Sequence, residues 1–330
     1  MPSPLISVII PVYNGEKFLS RCFITLNNQR YQNLELIFVD NNSTDHSQKM
    51  INQYCKPRQN ARLLKCEKQG SGIARNVGIK KAKGEFISFL DVDDELEPNK
   101  HELLLEVFNR HPTASMAVGR TKKIYSDGKE TIITLGSLKV GLNHFPTPGL
   151  LWLQQFQHHP HISSSLIRKK VIVDSDIYFP ELKYGEDIAF SVQVGIRNNI
   201  IVLDEIVSIY HRHGQSAVSL ANQQMSSTER YFQFYEKFAL SYFYSNRHEK
   251  LFNLGYKYSE RIAYRLLMQL IKVEMKTYYR KKLSKLQYNS LISKSFFRTL
   301  LFTCLPYNAA NLLNEKSNNI KDTCLKYFQL

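Results

Sequence analysis

Four short apolar runs, each ending in a polar turn, constrain this chain most. Residues 5–12 (LISVIIPV), 34–39 (LELIFV) and 85–90 (EFISFL) carry β-branched or aromatic residues, 61–66 (ARLLKC) is a weaker run, and all four are too short for helices. Between them lie helical patterns. Glu16 to Asn28 carries Phe18, Leu19, Cys22, Phe23 and Leu26 at helical spacing, Ser47 to Tyr54 looks helical, and a third helix follows Gly70-Ser71-Gly72 and runs to Ala82. Strands alternating with helices predict an α/β domain built on a mainly parallel sheet. In such a sheet the ligand site lies beyond the carboxyl ends of the strands.

Residues 113–215 read as mixed. Ala114–Gly119, Thr131–Leu135, Ile200–Leu203 and Ile206–Tyr210 are strand candidates, while Leu150–Gln157 and Gly185–Gly195 look helical. The character changes near residue 221. Residues 221–330 hold 18 Lys and Arg against 7 Asp and Glu, a net of +11 out of the chain's +15, and they are aromatic-rich and helical in pattern. Two regions are therefore expected, 1–220 and 221–330.

The basic balance suggests an anionic partner, whether nucleic acid, a membrane surface or a phosphorylated substrate. The five cysteines are scattered and form no CxxC pair, so neither a zinc site nor a disulfide framework is expected. No basic segment precedes the first apolar run, and no apolar stretch reaches the roughly 18–20 residues of a membrane span. A cytoplasmic setting is the default expectation.

The fourth run drives straight into Asp91, Asp93 and Asp94. Clustered carboxylates resist burial, so this group needs water or a cation. In extended backbone Asp91 and Asp93 would share one side, with Asp94 opposite. Two hard oxygen donors there suit Mg²⁺ or Mn²⁺; a surface turn is the plain alternative. Taken locally, Asp40 reads as a helix-capping turn residue, and Arg75 as an exposed arginine or an anion-binding fork. Glu186 and Asp187 read as acids at a helix start or as a general base. His211 and His213 read as surface residues or as phosphate or metal ligands.

In order along the chain stand ISVIIPVYNGEKFL, LELIFVDNNSTDHS, GSGIARNVGIKKAKGEFISFLDVDDELEP, FPELKYGEDIAF and YHRHGQSAVS. Together they resemble the inverting nucleotide-sugar glycosyltransferases of family 2, of bacterial surface-polysaccharide type, over residues 5–216. The resemblance implies a GT-A fold: a Rossmann-like, mainly parallel nucleotide-binding sheet flanked by helices, here with a mostly helical C-terminal region. It implies that Pro11, Val12 and Tyr13 line a nucleoside pocket and that Asp40 contacts uracil. Arg75 would lie near base and diphosphate, and Asp91 and Val92 near ribose and sugar. Asp93 would hold Mn²⁺ or Mg²⁺, Asp187 would be the base with Glu186 beside it, and His213 would contact diphosphate or metal. The implied partners are a UDP-sugar and a saccharide or lipid-linked saccharide acceptor. Residues 152–184, including Trp152, His159, His161 and Ser163–Ser165, are expected on the acceptor side. One departure is the turn after Asp40, where Asn41 and Asn42 replace the usual Asp-Gly; asparagine tolerates the left-handed backbone that glycine would supply.

Two other functions compete. DVDDEL is similar to an aspartyl-nucleophile phosphohydrolase loop, but it follows the fourth strand and lacks that loop's Gly-Thr. A nucleic-acid-binding module would suit the charge, yet no RNA or DNA motif is present. For 221–330 the expectations are a homo-oligomer contact or peripheral attachment to an anionic membrane. In the second case Phe296–Phe302 would lie in the interface, with Arg280, Lys281, Lys282 and Lys285 near lipid phosphates.

Overall fold

A computed structural model describes residues 3–214, 224–246 and 248–283. The chain divides into two compact units, Met1–Gln223 and Gln224–Leu330.

The first unit is built on one ten-stranded sheet. Strands β1 (Ile6–Val12) and β2 (Leu34–Asp40) are buried at every position, as their uninterrupted apolar runs require. With β3 (Ala61–Lys65) and β4 (Phe86–Phe89) they form a parallel block in the order β3-β2-β1-β4. Helices α1 (Glu16–Asn27), α2 (Ser47–Cys55) and α3 (Ser71–Lys81) are the crossovers. The chain steps from β1 to β2 to β3, then returns to the other side of β1 for β4. That reversal is the switch point beyond which α/β sheets bind ligands.

Past β4 the sheet is mixed rather than mainly parallel. Strand β5 (Glu95–Leu96) and helix α4 (Lys100–Arg110) follow the carboxylates. Strand β6 (Ala114–Tyr125) comes next, then short β7 (Glu130–Ile132) and β8 (Gly141–Asn143), helix α5 (Thr147–Gln154), β9 (Ser165–Arg168) and α6 (Lys169–Asp174). β9 inserts antiparallel between β4 and β6. After α7 (Glu186–Arg197), the two expected strands at 200–203 and 206–210 prove to be one, β10 (Asn199–Arg212), parallel to β6 with register shifts between Val202 and Ser208. β10 also pairs antiparallel with β5, Ser208 to Leu96 and Ile209 to Glu95. That pairing carries the end of β10 to the carboxylate turn.

In the second unit Ser226 caps α8 (Ser227–Phe234), its Oγ accepting the Glu229 N–H at 3.2 Å. A π-helical turn (Tyr235–Ala239), α9 (Leu240–Ser245) and α10 (Lys250–Leu283) follow. Phe234, Phe238, Phe243 and Phe252 are buried together, so the dense aromatics of this region make a helical core. Among the described residues no helix is long and apolar enough to cross a membrane. Lys285 and Phe296–Phe302 lie outside the described residues, as do the side chains of Arg280, Lys281 and Lys282.

Candidate active site

Beyond Phe89 the backbone turns instead of running extended. The Asp94 N–H donates to the Asp91 carbonyl at 2.9 Å. The turn folds Asp94 back beside Asp91, against the side-to-side alternation expected of a strand. Asp94 is 1% exposed and accepts the Ser163 hydroxyl at 3.0 Å. The same hydroxyl oxygen accepts the Asp91 N–H at 3.2 Å. His161 Nδ1 lies 3.5 Å from Asp94 Oδ2, and its ring stacks on Tyr210. Asp91, Asp94 and His161 each bring one donor atom into a group spanning no more than 4.8 Å. Burial, then the charges of Asp93 and Asp91, push the Asp94 carboxyl well above the usual range.

Asp93 turns toward the end of β10. His213 Nε2 is 3.0 Å from Asp93 Oδ2, and the imidazole stacks on Phe18. Arg21 Nη2 donates to the Asp93 carbonyl at 2.5 Å. His211, two residues earlier, pairs with Glu95 at 2.6 Å instead. Carboxylate oxygens joined by an imidazole nitrogen are a donor set that Mn²⁺ or Mg²⁺ accepts.

Arg75, on α3, is 4% exposed. Its Nη2 lies 2.5 Å from Asp91 Oδ1 and its Nη1 3.4 Å from Glu186 Oε1. Ser71 Oγ donates to the same Glu186 oxygen at 2.5 Å. Gly72 is needed at this junction: a Cβ there would sit 2.9 Å from Phe179 Cβ and 3.0 Å from Glu186 Cγ. Burial opposes the charge on Arg75, but Asp91 and Glu186 outweigh it and hold the guanidinium charged. Burial and the Asp187 charge raise Glu186, only partly offset by Arg75.

Gly185 adopts a left-handed φ of 81° and starts α7, so Glu186 and Asp187 occupy its first turn, where the helix dipole favours acids. Asp187 Oδ1 accepts the Ile188 N–H at 2.8 Å, and Oδ2 lies 3.0 Å from His159 Nε2. His159 Nδ1 is 2.6 Å from the Phe156 carbonyl, which can only accept, so Nδ1 carries a proton. Burial would raise the Asp187 carboxyl, but His159 and Arg75 hold it well below the carboxylate range.

At the end of β2, Asp40 is 2% exposed; Oδ1 accepts the Ser43 N–H and Oδ2 the Gln48 amide at 2.8 Å. Asn42 has a φ of 71°, the left-handed backbone expected of that turn. Asn41 is buried and occupied: it donates to the Cys66 and Lys68 carbonyls and accepts the Gly70 N–H, tying this loop to the start of α3. Val12 and Val92 both face Gly15, closing the Pro11-Val12-Tyr13 turn on the carboxylate loop, with Tyr13 half exposed.

Trp152, expected on the acceptor side, is instead fully buried against Gly195, because α5 packs on α7 there. Reading the sequence also missed the joint work of Ser163, Ser71, Gln48 and Lys100. Ser71 and Ser163 meet acids 115 and 69 residues away, Gln48 meets Asp40 eight residues back, and no spacing rule marks any of these pairs.

The family model described as Glycosyl transferase family 2 matches residues 7–174, more than half of the chain. The chain belongs to glycosyl transferase family 2. The chain is 30% identical over 220 residues to a Bacillus spizizenii poly(ribitol-phosphate) beta-glucosyltransferase, covering 62% of this chain and 32% of that one. Relatives of higher identity match over about a third of this chain, which spans less than half of their length. Among solved structures, S. aureus TarS 1-349 in complex with UDP-GlcNAc superposes with a TM-score of 0.57 at 22% identity, over 80% of this chain and 71% of that one. The Pyrobaculum calidifontis mannosyltransferase PcManGT, in complex with GDP-Man and Mn²⁺, gives 0.51 at 12% identity, over 98% and 86%. These likenesses give the chain the GT-A fold. Its family replaces the phosphohydrolase reading of DVDDEL.

Proposed function

We propose that the protein moves a hexosyl or N-acetylhexosaminyl group from a UDP-sugar to a hydroxyl of a bacterial surface glycan, inverting the anomeric centre in one displacement. One observation carries this reading: Arg75 bonds at once to Asp91, in the carboxylate turn, and to Glu186, beside Asp187. A donor held at the turn would therefore face the carboxylate that deprotonates the acceptor.

Asp187 is ionised, and 30% of its side chain reaches solvent. It takes the proton of the attacking hydroxyl as that oxygen closes on the anomeric carbon from the face opposite the diphosphate. Arg75 keeps Asp91 in place and brings positive charge near the diphosphate. Asp40 supplies a buried carboxylate to the base, with Pro11, Val12 and Tyr13 beside the nucleoside and Val92 nearer the sugar. Asp93 and His213, with Asp91 near, would hold Mn²⁺ or Mg²⁺. Bound there, the cation would neutralise charge gathering on the departing UDP. The UDP-GlcNAc complex of TarS supports the donor, the Mn²⁺ complex of PcManGT supports the cation, and the poly(ribitol-phosphate) relative supports a surface polymer as acceptor.

Residues 1–220 would be the catalytic domain, working in the cytoplasm or on the inner face of the membrane. The basic region from 221 would attach to anionic lipid or join a second copy. Vesicles of anionic lipid at low salt test the attachment; a chain that stays free of them lacks it. The central test is hydrolysis of a panel of nucleotide sugars, with and without Mn²⁺, by wild type and Asp93→Ala. Metal-dependent release of UDP from one donor, lost in the variant, is expected. Turnover unchanged in Asp93→Ala would overturn the reading.

A further inference from the structure

Lys100 opens α4 and is wholly buried. It donates to the Ser88 hydroxyl at 2.8 Å and to the Ser163 carbonyl at 2.7 Å. Ser88 lies on β4, three residues before Asp91. Ser163 is the middle residue of a 3-10 turn (Ile162–Ser164), and its own hydroxyl braces both the Asp91 N–H and the Asp94 carboxyl. One ammonium thus ties the strand that enters the carboxylate turn to the residue that supports that turn from beneath.

We propose that Lys100 is a positioning residue for the cation-binding carboxylate turn, acting through Ser163. The inference rests on the proposed function, because it gives Lys100 a part in holding cation and diphosphate.

Burying a lysine is costly unless every donor is used. A methionine of similar length would fill the same space without that cost. The geometry shows what the lysine does that methionine cannot. Without the amine, the Ser163 carbonyl loses its donor inside the protein, and the 3-10 turn is free to shift. The Ser163 hydroxyl would move with it. Asp94 would then lose the Ser163 hydroxyl's hydrogen bond, and the Asp91 N–H would lose its acceptor. The turn would loosen, and the oxygens that converge there would scatter.

Burial pulls the Lys100 amine down to about 7. Both hydrogen bonds survive loss of that proton, because a neutral amine still has two N–H donors. His101 Nε2 lies 3.1 Å from the same Ser88 oxygen, and burial, then Lys100, keep that imidazole neutral. Ser88 can therefore accept from Lys100 and donate to His101, so the cluster is satisfied at Ser88 in either state of the lysine.

The test is calorimetric titration of the full chain with UDP in the presence of Mn²⁺, at a temperature where each variant is folded. The set is wild type, Asp93→Ala, Lys100→Met, Ser163→Ala and the Lys100→Met/Ser163→Ala double variant. Partners behind a metal site typically change affinity about 10–100-fold. Lys100→Met and Ser163→Ala are each expected to weaken UDP binding by about tenfold. The double variant should also fall by about tenfold, because two members of one chain of contacts do not add. If Asp93→Ala loses binding while Lys100→Met binds as wild type, the proposal is wrong. It is equally wrong if the two losses multiply to about a hundredfold, since Lys100 would then not act through Ser163. If wild type and Asp93→Ala bind alike, the proposed function itself fails, and the inference with it. Should Lys100→Met not fold, Ser163→Ala alone tests the link to the turn, because it keeps the carbonyl that Lys100 holds and removes only the hydroxyl; wild-type affinity in that variant would overturn the proposal.

Discussion

His159 and Asp187 meet at 3.0 Å, Nε2 to Oδ2, across 28 residues of sequence. Because His159 Nδ1 already donates to Phe156, the contact needs one further proton, and the low Asp187 carboxyl leaves that proton on the imidazole. Burial alone would lower His159, but Asp187 outweighs it and raises the ring above its ordinary value. Asp187 stays ionised as pH falls well below the usual carboxylate range, and His159 loses its proton only above the usual histidine range. The pair's contribution to stability is therefore full between roughly pH 4 and 6.5, lost in acid as Asp187 protonates and lost in base as His159 deprotonates. Activity should show an alkaline limb above about pH 6.5 set by His159. In His159→Asn that limb should vanish and kcat should fall; a kcat–pH profile checks both.

Asp187→Asn should cut kcat by about 10²–10⁴-fold, the usual worth of a positioned base. Donor KM should hardly move, because Asp187 faces the acceptor in the proposed geometry. Steady-state kinetics with saturating acceptor separates the two constants. A loss confined to donor KM would place Asp187 on the wrong substrate.

Arg75 stands between two acids, and both depend on it. Arg75→Met should destabilise the fold by about 3–5 kcal/mol, since it leaves Asp91 and Glu186 uncompensated. Arg75→Lys keeps the charge but not the fork, so it should retain more stability than activity. Urea unfolding and turnover measured on the same preparations check this ordering.

Asn42 holds its left-handed backbone without a glycine. Asn42→Gly should be tolerated within about 1 kcal/mol, whereas Asn42→Val should cost about 1–3 kcal/mol, because a β-branched residue is strained there. Thermal unfolding of the two variants gives the difference directly.

Much of the parallel block was legible from the chain. ISVIIPV and LELIFVD are apolar throughout because both faces of those strands are covered, and such runs stand out. Helix α4 and strands β5 and β9 were not legible. EPNKHELLLEVF opens with polar residues, one of them the buried Lys100, while β5 spans Glu95–Leu96 and exists only through β10. The rule of alternation misplaced Asp94 because it assumes a strand, and the 2.9 Å bond from Asp94 to Asp91 makes a turn.

By itself the sequence determined where strands end and which acids stand at those ends, because apolar period and turn chemistry are local properties of the chain. Only the tertiary structure decided which partners those acids have. Arg75 reaches Glu186 across 111 residues, His213 reaches Asp93 across 120, and Ser163 reaches Asp94 across 69. Contacts over such separations follow from strand order and register in the folded sheet, and neighbouring residues in the chain carry no physical trace of them.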